Sequence, residues 1–324
     1  MELSVGHTPD ADDAFMYYAI AHKKVSLGNH EVEHVLEDIQ TLNQRAFSGE
    51  LEGTAISAAA YPQLSDKYQI MRVGSSIGRN YGPTVVTTLE KSGLNLNGSS
   101  VAIPGEYTTA YLLLRLYSEG FKPIPMAFDS IVQAVKENQV DAGLLIHEGQ
   151  ITYEDLGLTL IMDLGKEWWQ DTGLPLPLGL DMVRRDLGPE LCSLMVETLR
   201  DSIQYAFDHE DEALDYAMNF SRGTERETVR KFIKMYVNED TITMVTTDRI
   251  SAFDRAKTIR TEVISVIQVK TGSLIICNPG ALIFMIVTIK FNPAAIEATP
   301  NILSPITQYV IPFPGLNPKE EFGG

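Results

Sequence analysis

Across residues 1–244, short apolar runs alternate with stretches whose apolar residues recur every three to four positions. This alternation confines that part of the chain to an α/β fold. Strands are predicted at Glu2–Gly6, Val32–Leu36, Gly53–Ser57, Gln69–Val73 and Pro83–Thr88, with helices at Asp12–His22 and Ile39–Phe47. The pattern then repeats, with strands at Ser100–Ile103, Ile124–Ala127, Ala142–Ile146 and Leu158–Asp163 and helices at Thr108–Ser118 and Ser130–Glu137. Leu178–Arg184 reads as a strand running back. Two long helices follow, about Glu190–Asn219 and Glu225–Tyr236, which open on the favourable pairs Pro189-Glu190 and Thr224-Glu225.

Two such units, with the last helices able to return to the first, give two lobes: residues 1–88 plus 185–244, and residues 89–184. The crossings are expected near Thr88–Gly93 and Gly179–Arg184, and a cleft between lobes is the usual place for a small ligand. Lys and Arg number 26 against 43 Asp and Glu, a formal charge of −17. That balance argues against nucleic acid or an anionic membrane as a partner held on a broad basic face. The charge is uneven: residues 245–324 hold seven Lys/Arg and six Asp/Glu. They form an atypical C-terminal tail of unknown role, rich in Ile, Val, Thr, Pro and Asn. Cys192 and Cys277 are too few for a disulfide framework or a cysteine zinc site. No basic-then-apolar leader opens the sequence, and the apolar stretch Leu274–Ile289 is broken by Asn278-Pro279-Gly280. A cytoplasmic location is therefore expected, and the oligomeric state is left open.

Three segments could carry chemistry. Thr8-Pro9-Asp10-Ala11-Asp12-Asp13 joins the first strand to the first helix, where Asp10 or Asp12 suits the N-cap. Its carboxylates lack the spacing of a calcium loop, so no metal is expected there. Pro104-Gly105-Glu106-Tyr107-Thr108-Thr109-Ala110 also opens a helix. Free N–H groups and two hydroxyls could hold an anion at Thr108 and Thr109, or one Thr could simply cap the helix. In the third segment, His147-Glu148-Gly149, His147 follows an apolar strand at the end where α/β proteins gather ligands. It reads either as a proton acceptor or as a structural hydrogen-bonder. If the strand's alternation persists, Glu148 faces away from the ring, and partial burial lowers the imidazole pKa. His7, His22, His30, His34 and His209 lie within elements or at turns, and no GxGxxG or P-loop motif is present; His30-Glu31-Val32-Glu33-His34 has HExxH spacing but runs into a predicted strand rather than along a helix, and Gly74-Ser75-Ser76-Ile77-Gly78 has GxSxG spacing but no predicted helix follows it.

As an ordered set, the segments at 5–20 (VGHTPDADDAFMYYAI), 34–46, 54–61 (TAISAAAY), 81–86, 104–116 (PGEYTTAYLLLRL), 140–153 (VDAGLLIHEGQITY), 174–179 and 230–241 resemble the 1,4-dihydroxy-6-naphthoate synthase family of menaquinone biosynthesis. The resemblance implies a two-lobed periplasmic-binding-protein-like (type II) fold. It also implies a carbon–carbon lyase of the futalosine pathway, needing no cofactor, that opens cyclic de-hypoxanthine futalosine to 1,4-dihydroxy-6-naphthoate with loss of a small sugar-derived fragment. His147 matches the family's proton acceptor, while Ala55-Ile56-Ser57 and Thr109-Ala110 match its segments for the small anionic substrate. Thr108 is added on the helix-start reading alone. Many family members carry a Ser-Pro-Cys-Pro-Asn-Asp type of first loop, where this chain has Thr8-Pro9-Asp10-Ala11-Asp12-Asp13. Val245 to Asp254 resembles instead a signature of the purine-pathway succinocarboxamide synthetases, whose nucleotide-binding start is absent. Two other readings share the fold: a non-catalytic solute-binding protein, disfavoured by the missing leader, and chorismate dehydratase, disfavoured by His147-Glu148-Gly149.

Overall fold

The computed structural model describes residues 2–242 in full and the backbone of residues 274–278 and 281–285. The chain begins β1 (Glu2–His7), α1 (Ala11–Ala21), β2 (Glu31–Leu36), α2 (Ile39–Ser48), β3 (Gly53–Ser57), β4 (Tyr68–Ile70) and β5 (Ser76–Gly78). It continues with β6 (Thr84–Thr88), β7 (Ser100–Ile103), α3 (Thr109–Tyr117), β8 (Lys122–Pro125), α4 (Ile131–Lys136), β9 (Ala142–Leu145), α5 (Gly149–Thr152), β10 (Leu158–Asp163) and α6 (Leu164–Thr172). It then returns through β11 (Leu176–Arg184), α7 (Pro189–Asp208), α8 (Glu210–Ala217), α9 (Arg226–Tyr236) and α10 (Glu239–Ile242). Beyond these, β12 (Leu274–Asn278) and β13 (Ala281–Met285) pair antiparallel, and the rest of the expected tail lies outside the described residues.

Two sheets result. The first runs β2-β1-β3-β11-β4, with β5 also on β11; the second runs β10-β6-β9-β7-β8. β1, β2 and β3 are parallel, as βα crossovers require, and β11 enters antiparallel with Gly179 opposite Ser57. β3 is buried along its whole length, whereas the edge strand β8 is exposed and carries Pro123 and Pro125, which blunt it. Two expectations are corrected here. β6, placed by chain order with the first unit, pairs in the second sheet, and β11, placed with the second, pairs in the first. The chain therefore crosses between the sheets at residues 79–83 and 164–175, earlier than expected at both places. At the crossing Gly165 packs so closely that a Cβ there would lie 2.0 Å from the carbonyl carbon of Tyr81.

The largest core lies under α1, where Phe15, Met16 and Tyr17 meet Leu199 and Ile203 of α7, Leu214 of α8 and Ile233 of α9. The long helix expected over Glu190–Asn219 is two helices. His209 takes φ −127° and ψ 45°, and its ring stacks on Tyr205 at 3.9 Å. The acidic run Glu210-Asp211-Glu212 explains the break, because it suits the positive N-terminal end of a new helix rather than the middle of an old one. The second sheet has its own core of Val101, Ile103, Leu113, Leu114 and Leu144. No helix among the described residues is long and apolar enough to cross a membrane.

Candidate active site

The cavity lies between the two sheets. The first contributes Thr8, Asp10, Asp12 and Asp13 from the loop and start of α1, Ala55-Ile56-Ser57 from β3, and Gly179 to Asp181 from β11; Phe232 and Tyr236 of α9 pack beside them. The second contributes Thr108-Thr109-Ala110 at the start of α3 and Ile146, His147 and Gln150 after β9. All seven residues singled out from the sequence thus line one cavity, although they come from three distant segments.

Asp10 is the N-cap of α1, with Oδ1 accepting from the Asp13 N–H at 3.2 Å. Its Oδ2 lies 2.6 Å from His147 Nδ1, with the two side chains 2% and 14% exposed. Thr8 Oγ1 reaches both Asp10 Oδ2 at 2.6 Å and Asp13 Oδ2 at 2.8 Å, but a hydroxyl has one proton to give. Burial among other carboxylates raises the pKa of Asp12 and of Asp13 well above the usual range. Thr8 Oγ1 can donate to only one of the two carboxyls at a time, while the Thr8 N–H donates to Asp13 Oδ2 at 2.6 Å. Burial works against the charge on Asp10 too, but the His147 ring and the surrounding donors prevail and hold that carboxylate ionised. Of the three loop carboxyls, Asp10 is the one whose charge the surroundings favour, and burial disfavours charge on Asp12 and Asp13, which lessens the repulsion such a loop would exert on an anionic ligand.

His147 departs from two expectations. β9 ends at Leu145, and His147 lies in a turn at φ +53°, a region where histidine is found more often than most residues. Strand alternation no longer applies there, and Glu148 is not turned away: it is buried, and its Oε1 accepts from the Ala11 N–H at 3.4 Å. The ring's pKa is raised rather than lowered. Burial alone would depress it, but Asp10 outweighs burial, Glu148 adds to Asp10, and Arg222 opposes them. Nε2 of His147 is buried with no partner, as is Oδ1 of Asp12. Phe128 packs edge-on to the ring at 4.7 Å, and Arg222 lies 4.6 Å over the Phe128 ring while donating to the Pro9 carbonyl at 2.7 Å. Gln150, with its amide oxygen facing the His147 N–H at 3.1 Å, also donates to Gly82 O and Tyr236 Oη and so fixes the turn.

The other end of the cavity is different. Thr108 caps α3, accepting from the Tyr111 N–H at 3.2 Å and donating to Gly105 O at 2.8 Å. Thr109 Oγ1 donates to Leu178 O at 2.8 Å and accepts from the Ala59 N–H at 3.2 Å. Both hydroxyls are therefore committed to protein partners. What faces a ligand is the backbone of Thr109 and Ala110, whose amides sit in a first helical turn with no carbonyl four residues back. Ser57 accepts from Asn43 Nδ2 at 3.1 Å, which leaves its own proton to donate. Gly105 has φ +150°, and a Cβ there would fall 2.3 Å from Gln40 Oε1, the atom that accepts from the Tyr107 N–H.

The sequence reading missed Asp181, Gln150 and Tyr236. Asp181 had a legible signal, a charge inside the apolar run Leu178–Val183. Its carboxyl is fully buried, accepts from Tyr17 Oη at 3.0 Å, and is pushed up to about 7 by burial, the Tyr17 bond lowering it only partly. Asp10, Asp12 and His147 are the one group of metal-ligand type among the described residues, with atoms within 4.8 Å of one another. Two of its atoms, Asp10 Oδ2 and His147 Nδ1, are hydrogen-bonded to each other, while Asp12 Oδ1 and His147 Nε2 have no partner.

The family model for menaquinone biosynthesis matches residues 3–255. Two curated relatives, both 1,4-dihydroxy-6-naphthoate synthases, are similar over most of their length. The one from Thermus thermophilus is 42% identical over 236 residues, 73% of this chain and 86% of its own. The one from Streptomyces coelicolor is 34% identical over 245 residues, 74% and 86%. A crystal structure of a protein from Archaeoglobus fulgidus is 50% identical, with TM-score 0.74, covering 79% of this chain and 96% of its own. An alkanesulfonate-binding protein from Xanthomonas axonopodis shares the fold at 13% identity and TM-score 0.57, covering 72% and 84%. The architecture is accordingly the two-lobed periplasmic-binding-protein-like fold, and the chain belongs to the menaquinone biosynthesis family.

Proposed function

We propose that the protein is a carbon–carbon lyase that converts cyclic de-hypoxanthine futalosine to 1,4-dihydroxy-6-naphthoate, with His147 as the general base. The observation that carries this reading is the state of one ring: His147 Nδ1 is held by Asp10, while Nε2 is buried, unpartnered and in the wall of the cavity. A neutral imidazole so placed accepts a proton at Nε2, which is the role the futalosine step asks of the enzyme. The substrate's carboxylate lies toward the amides of Thr109 and Ala110, where the dipole of α3 favours an anion, and Ser57 donates beside it. The sugar-derived part then faces Asp12 and His147.

The test is incubation of the purified protein with cyclic de-hypoxanthine futalosine while naphthoate release is followed. Turnover that is lost in His147→Asn supports the reading. Binding without turnover by the unaltered protein makes it a solute binder instead, and turnover of chorismate alone makes it a dehydratase.

A further inference from the structure

We propose that Asp10 is the positioning residue that makes His147 a base: from across the cleft its Oδ2 holds Nδ1, turns Nε2 into the cavity, and balances the positive charge the ring gains when Nε2 takes a proton. The inference rests on the reading of His147 just given and names the residue on which that role depends.

The two groups meet at 2.6 Å although they are far apart in sequence and stand on different sheets, Asp10 after β1 and His147 after β9. Asp10 is itself immobilised. The Asp13 N–H sets Oδ1, and Thr8 Oγ1 sets Oδ2, so the first turn of α1 fixes the plane of the carboxylate. Capping the helix needs only Oδ1, which leaves Oδ2 for the ring. When Nδ1–H donates to Oδ2, the neutral ring carries its lone pair on Nε2. In the step that follows, a substrate C–H bond breaks, its electron pair stays on the substrate, and an N–H bond forms at Nε2. Asp10 takes no proton; it pairs with the imidazolium. Because the partners come from two lobes, the base is complete only while the lobes stand together.

The other groups facing the pair are few. Glu148 and Arg222 act on the ring with opposite signs and Phe128 packs against it, while Asp12 and Asp13, whose charge burial disfavours, lie around the carboxylate. None of them touches Nδ1.

Asp10→Asn in the full-length protein keeps the size and the cap oxygen and removes the charge. The expected result is a kcat lower by about 10²–10⁴-fold with KM changed less than about threefold, the range of a misplaced general base. The acid limb of the kcat/KM profile should move to lower pH, because Asp10 no longer holds the proton on the ring. Asp10→Glu, which restores the charge, should recover part of both. Unaltered kcat and an unaltered limb in Asp10→Asn, alongside an inactive His147→Asn, overturn the role of Asp10 and leave His147 as base. An active His147→Asn overturns the base reading, and this inference with it. Should Asp10→Asn not fold, the unaltered protein labelled with ¹⁵N-histidine decides. The His147 ring, identified by its absence from His147→Asn, should carry its neutral-form proton on Nδ1 and titrate above about 6.5. A proton on Nε2, or titration below that value, overturns the proposal.

Discussion

At one end of the cavity, around Asp10 and His147, side chains hold hydrogen-bonding atoms that nothing in the protein uses; at the other, around Thr108 to Ala110, the side chains are committed and the backbone is what remains. The first end is suited to moving a proton. Its groups titrate, and their surroundings push them apart: charge is favoured on Asp10, disfavoured on Asp12 and Asp13, and the His147 pKa is raised. The second end is suited to holding charge in place, because helix amides neither titrate nor rotate away. A substrate with a carboxylate at one side and an acidic C–H at the other would be held in one orientation by this division.

The strongest way to break the comparison is His147→Asn. Loss of the base should cut turnover by about 10²–10⁴-fold while substrate affinity changes little, with some loss of melting temperature because the buried Asp10 carboxylate loses its partner. A destabilised variant that still turns over would move His147 to the structural side and leave the first end without chemistry. Next comes Asp181→Asn, which probes the cost of burying acids near that end. The carboxyl titrates at about 7 when folded, against 3.8 for the free group. Between those values the unfolded chain has lost the proton while the folded one keeps it, so stability falls as pH rises through the window and is level above it. Asn still accepts from Tyr17 and cannot ionise. It should therefore stabilise the protein at pH 8 by on the order of 2 kcal/mol and by much less at pH 4, measured as melting temperatures. An equal effect at both pH values would remove the titration from the account.

Thr109→Val tests the second end. The lost hydroxyl bridges Leu178 and Ala59, so about 1 kcal/mol should disappear from stability while substrate affinity changes less than about fivefold. A tenfold loss of affinity at unchanged melting temperature would show the hydroxyl serving the ligand directly, and the contrast between the ends would fail. The smallest effect is expected from a chelator. EDTA should leave turnover unaltered, because the proposed base uses His147 Nε2 directly and Asp10 Oδ2 is already hydrogen-bonded to Nδ1 within the one group of metal-ligand type among the described residues. Inhibition reversed by added zinc would refute that.

Much of the fold was legible because local rules decided it. β3, β7 and β10 fall on the residues that alternation and β-branching mark out, and α2 carries its cap in Asp38 and its stop in Gly49 at φ +78°. α6 went unread although Asp163 caps it and Gly173 ends it, because its start abuts β10 with no intervening loop. The cavity was legible in part. Ser57, Thr109 and His147 were found from their segments, but the contact that matters most joins residues on two lobes, and no spacing rule reaches that far. The error over Glu148 has a narrower cause: alternation holds only inside a strand, and His147 is already outside one. Asp10 was marked as a possible cap, which it is, yet capping uses only one of its two oxygens.

The path of β11 bears on how the protein comes to be folded. The first sheet cannot close until Gly179 reaches Ser57 and Met182 reaches Ile70, after the whole second sheet has been made. The second sheet, from β6 to β10, is contiguous in the chain and needs no later strand. On a ribosome it can assemble first, while β1, β2 and β3 wait with an unpaired edge and α1 lacks its cover from α7, α8 and α9. The lobe that is translated first is therefore the one completed last, and its strand edge is the one left uncovered longest.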